Sequence, residues 1–244
     1  MKLLGIVRKE LLSLFVSPLA FVTLFVFLFV NGLFFYNFLR LFEGNLEFLI
    51  QRQFGGDMSF WLFALLLPPL LTMRSFAEET RAGSYELLIT SGIGEVRLVI
   101  AKFLSAWIFF VFLWLATGPI YLLIASVGDV DWGVMLALFV GLVALGALFT
   151  SVGIFASTIT QYQLLSAIAA FVINLLIFST SFFGNFLMVG DWRLRIVDYV
   201  SPLHHFGEDF TQGVIDARYL VYYTTLAGFF LFLAVKNLER RRWW

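Results

Sequence analysis

Leu19 to Phe38 reads LAFVTLFVFLFVNGLFFYNF, twenty residues without a formal charge in which Asn31 is the main polar intrusion. At about 1.5 Å rise per residue, a helix of this length crosses a hydrocarbon core of roughly 30 Å. The pattern recurs at 58–73, 99–127, 132–155, 164–183 and 219–235, so six crossings are expected. Composition agrees: 61% of the 244 residues are hydrophobic, 19% are aromatic and the mean hydropathy is +0.94, beyond the range of an ordinary soluble domain. The expected fold class is an all-α membrane protein. With no cysteine, the chain has no disulfides, thiolate metal sites or cysteine nucleophiles.

Upstream of this stretch, residues 1–17 alternate Lys2, Arg8, Lys9 and Glu10 with Leu3, Leu4, Ile6, Val7 and Leu11. That amphipathic pattern, with no small-residue cleavage site after the next apolar run, argues against a signal peptide and for an N-terminal interfacial helix. Downstream, Pro68-Pro69 predicts a kink in the second span and Gly118-Pro119 a break in the third. The fourth span places small residues four apart, at Ala137 and Gly141, Gly146 and Thr150, and Gly153 and Ser157, which lets helix backbones approach closely. The connection 184–218 contains two apolar pieces too short to cross, read as short outer-face helices.

The bases set the orientation. With the N-terminus cytosolic, eleven lie inside (Lys2, Arg8, Lys9, Arg74, Arg81, Arg97, Lys102, Lys236, Arg240, Arg241, Arg242) and five outside (Arg40, Arg52, Arg193, Arg195, Arg218). The positive-inside rule then puts both termini in the cytoplasm.

Between the second and third spans runs Met73 to Lys102, MRSFAEETRAGSYELLITSGIGEVRLVIAK. Ser75 three residues before Glu78 has the form of a capping box, although the helix of the second span can equally continue to this point. Gly83 interrupts it. Ser84 can cap a second short helix, Tyr85 to Thr90, with Glu86 in its first turn and Tyr85, Leu88 and Ile89 on one face. A helix under two turns long needs a partner surface. The plainer alternative for Glu78, Glu79 and Arg81 is a solvated charged loop.

The string Met73 to Leu88 resembles the intracellular loop of ABC-2-type ABC transporter permeases, in the branch of gliding-motility and nitrous-oxide-reductase-maturation permeases. A second resemblance is Ser201-Pro202-Leu203-His204-His205-Phe206, continuing through Phe210 to Gly213-Val214-Ile215-Asp216. Gly92 and Ala101 depart from the pattern, where relatives often have Pro and Gly. The resemblance implies a permease subunit of the inner (plasma) membrane that pairs with a second permease subunit, as homodimer or heterodimer. It sits on separate ATPase subunits that hold ATP and Mg, and the cargo movement the resemblance implies is export. The region 75–91 becomes the coupling region, with Glu78, Glu79, Arg81, Ser84, Tyr85, Glu86, Leu88 and Ile89 facing the ATPase or the bases Arg8 and Lys9. Pro202, His205, Phe206, Gly213 and Asp216 become an outer-face motif. The chain carries no G-x-x-x-x-G-K-[ST] phosphate loop, so no cofactor and no ATP hydrolysis of that kind are expected on it.

Other readings stay open beside this one. Asn31 and Asn174 either line a pathway or hydrogen-bond between helices. His204 and His205, four residues before Glu208 and Asp209, suggest polar architecture more than a metal site, which needs three or four ligands. No H-E-x-x-H, G-x-S-x-G or buried carboxylate pair supports an intramembrane enzyme, and no nucleic-acid partner is expected. Lipid is an expected partner throughout. The alternative function is a non-transporting mechanical subunit that passes ATPase-driven motion to an outer-face accessory protein.

Overall fold

A computed structural model describes residues 3–41, 52–83, 94–126, 130–183 and 192–241. Every regular element among them is helical, and six helices are long and apolar enough to cross a membrane. This is a multi-pass membrane protein. Helix α1 (Leu3–Val16) is followed by α2 (Pro18–Leu41), a π-helical turn (Arg52–Gly56), α3 (Met58–Thr72) and the short α4 (Ala77–Arg81). Next come α5 (Glu95–Leu115), α6 (Gly118–Ala125), α7 (Trp132–Ile159) and α8 (Gln163–Phe183). Helix α9 (Trp192–Val200) leads through three single turns over 202–212 into α10 (Ala217–Arg241).

Local chemistry fixes these ends. Asp57 accepts a hydrogen bond from the Ser59 amide to start α3, and Asp131 accepts from the Gly133 and Val134 amides to start α7. Helix α5 begins at Glu95 rather than at 99, because a helix starts where the backbone turns and not where the apolar run begins. Gly94 is extended, and Glu95 places an anion in the first turn. Pro68 and Pro69 lie inside α3; Thr72 Oγ1 donates to the Pro68 carbonyl at 2.7 Å and the Met73 amide to that of Pro69 at 2.9 Å. At the break before α6, Thr117 Oγ1 donates to Trp114 O at 2.7 Å.

Helix α7 is the axis of the bundle and packs against α3, α5, α8 and α10. Its small residues work as the spacing predicts. A Cβ on Gly141 would lie 2.8 Å from the Phe210 ring, and the positions of Gly146 and Gly153 admit Phe110 and Thr72. Trp107 Nε1 reaches Val143 O at 2.9 Å and Asn237 reaches Thr158 O at 2.8 Å, which ties α5 and α10 to the same helix. By contrast, only 17% of the α2 span and 22% of the α8 span are buried, so both turn apolar faces outward. Helix α1 lies along α5, with Ile6 and Val7 buried and Ser105 Oγ donating to Val7 O at 3.2 Å.

Candidate functional site

The polar chemistry gathers at the two ends of the bundle. At the α1 end, α3 stops at Thr72, the chain makes a tight turn, and α4 carries Glu78, Glu79 and Arg81. Ser75 does not cap this helix: Phe76 occupies the cap position without a side-chain bond, while the Ser75 amide is used in the turn to Thr72 O at 3.0 Å. Phe76 is fully buried, and its hydrophobic anchoring sets the start of α4. Gly83 follows at φ +68, left-handed backbone that favours glycine.

Lys102, only 4% exposed, is the centre of this end. Its ammonium donates to Glu79 Oε1 at 2.7 Å, lies 3.5 Å from Glu10 Oε2 and stands 5.2 Å from the centroid of the Phe76 ring. One cation thus joins α1, α4 and α5. Glu79 takes its hydrogen bond from this lysine, and the charge of Lys9 adds a smaller attraction. Glu78 and Arg81 are exposed. Ser84, Tyr85, Glu86, Leu88 and Ile89 lie outside the described residues. The signal for Lys102 is present in the sequence, as a single cation a few residues inside an apolar run.

At the opposite end, the turns over 202–212 form a cap tied to α8: Ser201 Oγ donates to Ser181 Oγ at 2.8 Å, and the His204 amide donates to Ser201 Oγ. Pro202 stands at the first position of its turn, where its missing N–H costs nothing. His205 is fully buried and stacks on Tyr219 at 3.8 Å between centroids. Its Nε2 is 3.1 Å from Tyr199 O, an acceptor, so Nε2 carries the proton and Nδ1 accepts from Tyr223 Oη at 2.8 Å. Burial pulls its pKa down to about 4, so the ring is neutral near pH 7.

Phe206 packs against Phe60, Trp61 and Phe210. Gly55, at φ +128, passes so close that a Cβ there would meet Phe206 at 2.9 Å, and Gly55 O accepts from Trp61 Nε1 at 2.9 Å. Gly213 is left-handed at φ +81 beside Val134. Asp216 starts α10: its Oδ1 accepts from the Arg218 amide at 2.8 Å, and bonding from the Arg218 side chain holds its carboxyl below the ordinary range. The four-residue spacing from the histidines to Glu208 and Asp209 does not bring ligands together, because 205–209 is a π turn that breaks helical register. Among the described residues no group of three His, Asp or Glu converges.

The two membrane asparagines are buried. Asn31 spends its amide on Phe27 O of its own helix at 3.0 Å, whereas Asn174 has neither amide atom bonded among the described residues. No protein-family model matches the chain, and no curated protein matches it.

Proposed function

We propose that the chain is the permease subunit of an ABC-2-type transporter, moving a substrate across the inner membrane with energy from separate ATPase subunits. Both termini are cytoplasmic in this reading, which six crossings allow and eleven bases against five favour. The supporting observation is the bracing of α4 by Lys102. A force-receiving element must not yield at its root, and here one buried cation links α4 to α1 and α5 at 2.7 and 3.5 Å. Motion applied to residues 84–93 would reach three helices together. The resemblance at Met73–Leu88 supplies the ATPase as the source of that motion.

The test is co-purification with the candidate ATPase. Replacing Glu86 by Gln and Leu88 by Ala together should lower complex recovery and stimulated ATP turnover by at least about tenfold, the loss expected for a central interface anchor. Unchanged recovery and turnover would sink the docking assignment. The mechanical alternative gains from the rigid outer cap, in which Phe206, Phe210 and His205 are fully buried. Cargo movement in vesicles holding only permease and ATPase decides for transport; ATP turnover without movement until an outer-face protein is added decides for the mechanical role.

A further inference from the structure

A chamber of about 400 Å³ opens at the α1 end, among α1, the end of α3, α4 and the first turns of α5. Three bases (Lys9, Arg74, Lys102) and three acids (Glu10, Glu78, Glu79) line it, so its formal charges cancel. Lys102 is paired with Glu79 and Glu10. Lys9, Arg74 and Glu78 are exposed in the chamber wall, and none of them makes an ion pair with another described residue. Ser13, Ser17 and Ser75 add hydroxyls.

A narrow apolar crevice of about 40 Å³ continues from the same place between α2, α3 and α5. Leu14, Ser17, Leu71 and Arg74 belong to both spaces, and Leu19, Ala20, Leu70 and Phe109 wall the crevice further on. Leu19, Ala20 and Thr23 come from the first two turns of α2, Leu70 and Leu71 from the last turn of α3, Leu14 from α1 and Phe109 from within α5. An occupant that matches these groups carries an anion for Arg74 and Lys9, a hydrogen-bonding cation for Glu78, and hydrocarbon behind them.

We propose that this is a site for a zwitterionic glycerophospholipid with a primary-amine headgroup. The Arg74 guanidinium faces the phosphate, to which its fork donates two hydrogen bonds. The ammonium donates to the Glu78 carboxylate, and the glycerol end of one acyl chain enters the crevice. Phosphatidylglycerol offers the same phosphate but no ammonium for Glu78. A choline head has no N–H to give that carboxylate. A free phosphoamine would leave the crevice empty. The proposal requires a membrane and is independent of the transporter reading.

Native mass spectrometry of the delipidated protein in detergent tests it, with phosphatidylethanolamine, phosphatidylglycerol and phosphatidylcholine of equal chains and free O-phosphoethanolamine. Phosphatidylethanolamine should bind about tenfold more tightly than the other lipids, the scale of one charge-assisted hydrogen bond. R74Q and E78Q should each weaken it by about tenfold on the same grounds, and E78Q should erase the preference over phosphatidylcholine. R74K should recover part of the binding, which separates lost recognition from lost folding. Equal binding of all three lipids, unchanged phosphatidylethanolamine binding in both R74Q and E78Q, or saturation by O-phosphoethanolamine at the lipid's own concentration would each overturn the proposal.

Discussion

His205 gives the cap a pH dependence whose sign follows from its burial. Exposed in the unfolded chain it titrates near 6.5, but folded it titrates at about 4. Between these values the unfolded state binds the extra proton, so stability is full above pH 6.5 and falls as pH drops toward 4. The loss across that window is roughly 3 kcal/mol. Melting of the detergent-purified protein should show this slope, and His205→Phe, which keeps a ring to stack on Tyr219, should flatten it even though it frees the Tyr223 hydroxyl. Matching slopes in the two proteins would remove His205 as the cause. The glycines divide as sharply. Gly153→Val drives a side chain into Thr72 and should destabilise by at least about 1–3 kcal/mol. Gly228 has open space around it, and Gly228→Ala should stabilise α10 by up to about 1 kcal/mol, seen as a higher melting midpoint.

Helix α4 is five residues long and has no stability of its own, so its position depends on Phe76 and Lys102. Lys102→Met strands two carboxylates that are each about one-fifth exposed. The cost should be about 3 kcal/mol, near the lower end for breaking a buried pair because water reaches both acids. Adding Glu79→Gln should recover part of it, and a double-mutant cycle by denaturant unfolding reads the coupling; simple additivity would deny the pair. This bridge shows where sequence reading stops. Spans are written in contiguous runs, which is why Leu19–Phe38 announces α2. The partners of Lys102 lie 23 residues away at Glu79 and on a different helix at Glu10, a pairing fixed by how α1 and α5 lie together. The same holds at the cap. The motif from Pro202 to Asp216 is visible as a string, but the tyrosines around His205 come from α9 and α10, and the π turn that cancels the histidine–carboxylate spacing has no sequence signal of its own.

Across the whole molecule, the two polar ends are built for different loads. The α1 end is charged and opens a chamber; the cap is aromatic and buried, packed on α3 by Phe206, on α7 by Phe210 and on α10 by His205, and tied to α8 through Ser201 and Ser181. Charge at one end and aromatic closure at the other give the bundle a polarity, and the proposed orientation puts the charged end in the cytosol. The assignment is open to a clean measurement because the chain contains no cysteine. Lys9→Cys and Gln212→Cys place one thiol at each end, both at exposed positions where substitution should cost less than about 0.5 kcal/mol. In intact cells an impermeant maleimide should label Gln212→Cys, and should label Lys9→Cys only after the membrane is opened. The reverse pattern would place the Lys102 brace outside, away from any cytosolic ATPase, and with it the permease reading would fail. The lipid site would survive that result, since its chamber and crevice would then face the outer leaflet with the same charges and the same preference.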